Sequence, residues 1–265
     1  MITATSGTGN AMHRLALVPA VALAISVAVP GCAQVVGAAK AHFIPDTVLV
    51  RRDTIEIHGR VVAQSDNTEP INDYFVSAPP FWGRLEGTSG LWRYWNRYAE
   101  LDCICLLWLD EGGLDPGAAS PPIQIVAAAL PALVPTWTRG EMHWGVEEVA
   151  DDSVEYDPIQ EEFFQDQGIG LEMFSPTLGD AFFLERVADV TTTICEAEFI
   201  ASTACAALTA TWSQVRATHA SGGRNAARPI IDTWLADLGA IRDTQRGTIA
   251  YWILRGNLEF MTQWW

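Results

Sequence analysis

The chain has 265 residues, of which 49% are hydrophobic, and its formal net charge is −16 at pH 7. This length and composition are sufficient for one large globular domain with a buried core. The strong negative charge repels phosphate backbones and anionic lipid headgroups, so nucleic acids are excluded as expected partners.

The N-terminal segment has the pattern of a secretory signal. Arg14 precedes an uncharged, aliphatic run from Leu15 to Val29, and a positive charge before a short apolar region is typical of export signals. The run that ends at Gly31 is shorter than the ~20 residues that a membrane-spanning helix needs. We therefore expect residues 1–31 to be a cleaved signal peptide; a retained membrane helix and a buried core helix are the alternatives.

The end of this segment, Val29-Pro30-Gly31-Cys32, resembles the lipobox of bacterial lipoproteins. The branched aliphatic residue, the small residue and the cysteine match at Val29, Gly31 and Cys32. The resemblance implies cleavage before Cys32 and lipidation of its thiol, so that the mature protein is attached to the membrane by its N-terminal anchor.

The cysteines of the mature chain permit disulfides. With Cys32 lipidated, four cysteines remain, namely Cys103, Cys105, Cys195 and Cys205. Four cysteines can pair in three ways, and the sequence leaves all three open. Two disulfides are compatible with export, and four small buried hydrophobic side chains are the alternative.

The first half of the mature chain is rich in predicted strands. β-Branched residues at Thr47 to Val50 and at Thr54 to Ile57 predict a hairpin or meander that continues at Val61. Two further apolar runs, Cys103 to Leu109 and Ile123 to Leu130, read as strands. The stretch from Glu111 to Pro122 is rich in Gly and Pro and predicts a loop.

The second half is rich in predicted helices. A helix is expected from Pro158 to Gln165, and Ser175-Pro176 predicts the start of a helical stretch to His219, interrupted at Thr191-Thr192-Thr193. Ser221-Gly222-Gly223 predicts a break. Another helix is expected from Arg228 to Ile241, and the C-terminal tail is predicted to be helical, with a hairpin at Arg255-Gly256-Asn257 as the alternative.

Strands followed by helices predict an α+β fold, with a β-rich N-terminal half and a helical C-terminal half. Residues 32–265 are expected to form a single domain. A boundary near residue 155 between the two halves is the alternative.

The segment Glu141-Met142-His143-Trp144-Gly145-Val146-Glu147 is the sharpest local candidate for metal chemistry. On a strand, Glu141, His143 and Glu147 project to one face, and two carboxylates with an imidazole suit a divalent transition metal. The spacing resembles the first cupin motif, with Glu141 where that family usually has His. A solvated surface cluster is the alternative.

An acidic stretch from Asp151 to Glu162 spaces its oxygens somewhat like a calcium loop. Position six of such a loop requires Gly, but this chain has Tyr156 there. The stretch is therefore predicted to be an exposed acidic connector.

The densest group of aromatic residues, the Trp/Tyr segment, is the candidate ligand-binding site; it comprises Trp82, Trp92, Tyr94, Trp95 and Tyr98. Exposed aromatic rings stack on sugars or anchor a protein partner. Burial of the same rings in the core is the alternative.

Nucleophile signatures such as GxSxG, HExxH and the P-loop are missing from the sequence. His58 and His219 stand isolated in the chain, and a catalytic triad assembled from distant residues stays open.

The sequence predicts an exported, lipid-anchored protein of the bacterial cell envelope that binds a ligand or another protein, the partner being an envelope protein or a glycan. The alternatives are a metal-dependent enzyme, cupin-like or hydrolytic, and a structural assembly subunit with contacts at Trp264 and Trp265. No cofactor other than a divalent metal is suggested.

Overall fold

The computed structural model describes residues 39–51, 54–77, 103–108, 113–140, 164–172 and 179–265, which all belong to one compact unit. Its strands are β1 (Ala41–Val50), β2 (Ile55–Ala63), β3 (Ile71–Ser77), β4 (Cys103–Trp108), β5 (Ile123–Ala127), β6 (Leu130–Gly140) and β7 (Phe164–Glu172). Its helices are α1 (Asp180–Glu196), α2 (Ser202–Asp237), a 3₁₀ helix (Leu238–Ile241) and α3 (Gln245–Trp264). Since the strands precede the helices, the predicted α+β fold is confirmed. The alternative boundary near residue 155 lies outside the described residues.

The first sheet has three antiparallel strands in the order β1-β2-β5. Buried and partly exposed positions alternate along β2 and β5, so that Ile55, Ile57 and Ile125 face the core. Ile57 pairs with Val48 on one side and with Ile125 on the other. The alternation buries one face of the sheet and confirms the strands predicted in this region.

The second sheet has four antiparallel strands in the order β4-β3-β6-β7. Asp73 of β3 lies opposite Arg139 of β6, and the guanidinium of Arg139 contacts the fully buried carboxylate of Asp73. A buried carboxylate requires such a partner because desolvation of an unpaired charge is costly.

Side-chain hydrogen bonds connect the two sheets. The backbone N–H of Phe43 in β1 donates to the hydroxyl of Tyr74 in β3 at 3.2 Å, and the hydroxyl of Thr138 in β6 donates to the carbonyl of Ala39 at 2.6 Å. Burial raises the pKa of Tyr74 to about 12, so its hydroxyl stays protonated. The phenol is therefore a neutral link between the sheets.

Strand β6 includes prolines and was not predicted as a separate strand. Pro131 and Pro135 pair only with β7, because the pairing of β6 with β3 covers Thr136 to Gly140. Each proline thus lies where β6 has no second neighbour, which is where a strand tolerates proline. The predicted run from Ile123 to Leu130 in fact contains the whole of β5 and the first residue of β6.

The prediction of a helix from Pro158 to Gln165 is wrong for residues 164 and 165, the part of this range that the structure describes. Phe164 and Gln165 belong to β7, where Gln165 pairs with Trp137 and Asp166 with Thr136. The glycines at 168 and 170 leave only a short apolar alternation, Ile169 and Leu171, so the pairing with β6 decides the structure of this segment.

The boundaries of α1 differ from the prediction. The expected start at Ser175-Pro176 lies outside the described residues, and the helix begins at Asp180, after Gly179 in extended conformation. The threonines do not interrupt it. Thr191 and Thr193 donate their hydroxyls to the carbonyls four residues earlier at 2.7 and 2.9 Å, as threonines inside helices commonly do. The helix ends at Glu196, and residues 197–201 separate it from α2.

Helix α2 reverses direction at the predicted break. Gly223 has φ 71° and ψ −167°, a conformation that is open essentially only to glycine. Trp212 and Trp234 would be roughly 33 Å apart in a straight helix at 1.5 Å per residue, but their ring centroids lie 5.8 Å apart. The residues before and after Gly223 therefore form an antiparallel helical hairpin.

Helix α3 is the central element of the core. It packs against β1 and β6, one strand from each sheet, and most of its residues are buried on all sides of the helix. Its continuity through Gly256 confirms the predicted helical tail and excludes the hairpin alternative. None of the helices in the described ranges has the length and hydropathy needed to cross a membrane.

Candidate ligand-binding site

The site residues predicted from the sequence lie outside the described residues. They are Cys32, the Trp/Tyr segment (Trp82, Trp92, Tyr94, Trp95 and Tyr98), and the metal candidates Glu141, His143 and Glu147. The same holds for the acidic stretch from Asp151 to Glu162. These assignments stay predictions. Nowhere in the described part of the chain do three or more His, Cys, Asp or Glu side chains come together to hold a metal ion.

The structure forms a candidate site elsewhere, in a cavity of about 800 Å³. His42 at the start of β1 and Gln64 just after β2 form one wall. The loop from Glu198 to Ala201 and the start of α3 around Arg246 form the others. We call this space the His42 cavity. Its volume lies within the range of small-ligand sites in proteins.

His42 is the buried polar group of this cavity, with 2% of its surface exposed. Its Nε2 lies 3.0 Å from the amide nitrogen of Gln64. Because an amide nitrogen only donates, Nε2 accepts, and the neutral ring carries its proton on Nδ1. No described residue accepts a hydrogen bond from that buried Nδ1.

The environment keeps His42 neutral. Burial lowers the pKa of His42, the nearby carboxylate of Asp166 opposes this by raising it, and Arg246 lowers it again. The Asp166 carboxylate lies 3.9 Å from Nε2, too far for a hydrogen bond. At neutral pH the imidazole is therefore an uncharged donor through Nδ1–H.

Arg246 is held by two contacts that leave much of its guanidinium available. Its Nη2 donates to both oxygens of Asp166, at 3.1 and 3.3 Å, and its guanidinium carbon lies 5.1 Å from the ring centroid of Phe199. Its Nε and Nη1 make no hydrogen bond with any described residue. The β7 strand thus positions Asp166, and Asp166 with Phe199 orients Arg246.

A disulfide between helices α1 and α2 forms part of the cavity wall. Cys195 near the end of α1 is bonded to Cys205 in the first turn of α2, with their Cα atoms 5.7 Å apart, and both residues line the cavity. This pairing is one of those that the sequence left open. Nothing is described for the side chains of Cys103 and Cys105.

The chain turn beside the disulfide has an unusual backbone. Glu198 has φ 56°, and the amides of Glu198 and Phe199 donate to the carbonyls of Cys195 and Ile194, both at 3.1 Å. These two hydrogen bonds form a Schellman motif, whose left-handed position usually holds glycine. A glutamate there accepts a conformational cost, and Glu198 is an exposed residue that lines the cavity.

Two helices begin at the cavity. Ala201 and Ser202 at the start of α2 line it, and α2 has no side-chain N-cap. Thr244 caps α3 by accepting from the amide of Gly247 at 2.9 Å. The uncapped start of α2 leaves backbone N–H groups available to an acceptor.

Sequence reasoning did not identify His42, Gln64, Asp166 or Arg246. They are distant in the chain, and Asp166 adjoins a segment that was predicted to be helical. The one local signal is a histidine between apolar neighbours, Ala41 and Phe43, in a strand whose flanking positions are buried.

The two histidines that stand isolated in the sequence have partners in the fold. His58 lies 2.6 Å from the carboxylate of Glu56 on the outer face of β2, and His219 lies 2.9 Å from Asp180 and stacks on Trp265. Arg224 also binds Asp180, and its hydrogen bond lowers the pKa of that carboxyl. The Asp180 cluster joins the start of α1 to the reversal of α2.

A second cavity, of about 660 Å³, lies between the two arms of α2. It is mainly apolar, and its threonines, Thr211 and Thr233, already donate to backbone carbonyls. It therefore offers fewer groups for specific recognition than the His42 cavity.

Comparison of the chain with protein-family models, with curated proteins and with solved structures gave no match.

Proposed function

We propose that this is an exported, lipid-anchored protein of the bacterial cell envelope that binds a small ligand in the His42 cavity. The observation that carries the binding role is the cavity of about 800 Å³ itself, which is lined by the buried His42 and by the partly exposed Arg246. A cavity of this size with a few polar groups in its wall is typical of small-ligand sites.

Two features support export. The N-terminal segment has the pattern of a secretory signal that ends in a lipobox-like sequence at Cys32. The Cys195–Cys205 disulfide is of the kind that persists in oxidising compartments outside the cytosol.

Export and anchoring are tested by the intact mass of the protein from the membrane fraction of an expressing bacterium, beside the variant Cys32→Ser. The proposal predicts a mature species that begins at Cys32 and carries acyl mass, which the variant lacks. An uncleaved and unmodified chain in both samples would refute the anchoring, and the N-terminal segment would then be a membrane helix or a core element.

The binding role is tested by a screen of small molecules for compounds that raise the melting temperature of the protein. Each compound is tested on the wild type, on His42→Ala and on His58→Ala, and each variant is compared with its own melting temperature without ligand. Compounds bound in the cavity should stabilise the wild type and His58→Ala but not His42→Ala. If no compound distinguishes the two histidine variants, the cavity is not a binding site.

The metal-dependent enzyme stays a prediction, since its residues lie outside the described ranges. The assembly subunit also stays a prediction. Trp264 is 43% exposed, but a single exposed ring is common on protein surfaces.

A further inference from the structure

A short stretch of chain separates the proposed lipid anchor at Cys32 from the start of β1. Seven residues, 33–39, lie between Cys32 and Lys40, and β1 begins directly after Lys40. An extended chain spans at most ~3.6 Å per residue, so Lys40 lies within about 29 Å of the residue that carries the lipid.

Lys40 is fixed to one end of the first sheet, which we call the membrane-side end. The backbone N–H of Gln64, just after β2, donates to the carbonyl of Lys40 at 2.9 Å. The side chain of Asn67 accepts from the N–H of Lys40 and donates to its carbonyl, both at 2.9 Å. Since His42 and Gln64 line the His42 cavity, the cavity belongs to the same end.

Strand β1 leads from the membrane-side end to the opposite end of the sheet. At about 3.3 Å per residue, Arg51 lies roughly 35 Å along the strand from Lys40, which exceeds the reach of the tether. The side chain of Gln263, near the end of α3, donates to the carbonyl of Val50 at 3.1 Å. The far end of the sheet therefore lies beside the end of α3, where Trp264 is 43% exposed.

The charge of the protein disfavours adsorption of its sides to the membrane. The net charge is −16, and anionic headgroups repel such a surface. The membrane-side end has no basic patch either, because Lys40 and Asp66 are both exposed there with opposite charges. The tether, rather than electrostatic attraction, therefore determines which end is near the lipid.

From these distances we infer that the anchored protein presents the membrane-side end, with the His42 cavity, to the bilayer and holds the end with Trp264 away from it. The ligand of the cavity is then a molecule that the protein meets at the lipid surface, and Trp264 faces the aqueous compartment. The inference rests on the proposed anchor at Cys32 and adds the orientation of the domain.

The test uses the single lysine of the chain, Lys40, as the site of an amine-reactive donor fluorophore. The lipidated protein is purified from membranes and inserted into phosphatidylcholine vesicles that contain a headgroup-labelled acceptor lipid. The double variant Lys40→Arg/Arg51→Lys moves the fluorophore to the far end of β1, where Arg51 is 62% exposed. Lys40→Arg alone has no lysine and measures labelling of the chain's amino terminus.

After subtraction of the signal of Lys40→Arg, we expect energy transfer to the acceptor lipids to be at least ~2-fold more efficient from position 40 than from position 51, because ~35 Å separates the two along β1. Equal transfer, or more from position 51, in protein whose intact mass shows the acyl chains would refute the orientation and leave the anchor standing. An intact mass without acyl chains would refute the anchor and the orientation together.

Discussion

At the scale of single residues, His42 links stability to pH. Burial lowers its pKa below the ordinary value near 6.5, so around pH 6 the unfolded chain binds more protons than the folded one. Stability from this group is therefore present above the unfolded pKa and is lost as the pH falls toward the lower folded pKa.

We expect His42→Gln to reduce the loss of unfolding free energy that the wild type shows between pH 7.5 and pH 5.5. Urea denaturation at the two pH values measures this difference. His58→Gln serves as the control, because it removes a histidine on the outer face of β2 and leaves His42 in place. An unchanged pH dependence in His42→Gln would contradict the buried, neutral imidazole.

Glu198 is a second residue whose conformation has a measurable cost. A non-glycine residue in the left-handed region is disfavoured by roughly 1–2 kcal/mol, so Glu198→Gly should leave the free energy of unfolding unchanged or raise it by up to about 1 kcal/mol. Urea denaturation measures this change. A clear loss of stability would mean that the Glu198 side chain supports the fold.

At the scale of elements, α3 depends on a close approach to both sheets. A Cβ added at Gly256 would lie 2.7 Å from Cγ of Pro131 and 3.4 Å from a methyl carbon of Val48. Gly256→Ala should therefore cost about 1–3 kcal/mol of unfolding free energy through overpacking.

The matched control for this substitution is Gly239→Ala in the 3₁₀ helix, where an added Cβ meets nothing within 4 Å. It should leave the midpoint of thermal or urea unfolding nearly unchanged. Similar losses in the two variants would show that α3 does not pack as closely as the structure indicates.

The elements also show how far sequence reasoning reaches. The hairpin of β1 and β2 is evident from β-branched residues in alternation, and the break in α2 is evident from two adjacent glycines. Strands β6 and β7 could not be predicted, because prolines and glycines weaken the local pattern and pairing with distant segments stabilises them.

The candidate site was less accessible to prediction than the fold. His42, Asp166 and Arg246 come from β1, β7 and α3, and no local motif connects residues so far apart in the chain. The candidate clusters that the sequence does suggest, such as Glu141 and His143, consist of residues that are close together in the chain.

At the scale of the whole molecule, a disulfide links helix α1 to helix α2 beside the cavity. The Cys195–Cys205 disulfide closes a loop with a sequence separation of 10, and in the chain-entropy model a loop of this size contributes roughly 2–3 kcal/mol. The double variant Cys195→Ser/Cys205→Ser should lose about that free energy of unfolding in urea.

A reducing agent provides the control for this prediction. It should destabilise the wild type to the level of the double variant and leave the double variant unaffected, provided that both are compared at the same pH. Equal stability of the oxidised wild type and the double variant would mean that the disulfide does not constrain the chain.

The most direct test of the account is ¹⁵N NMR of the histidine imidazoles in the full-length protein, assigned with His42→Gln, before and after addition of a compound that the melting-temperature screen identifies. The account predicts that free His42 is neutral with its proton on Nδ1, and that its imidazole resonances shift when the compound binds in the cavity. A proton on Nε2, or imidazole resonances that no such compound moves, would contradict the proposal that His42 lines a binding site.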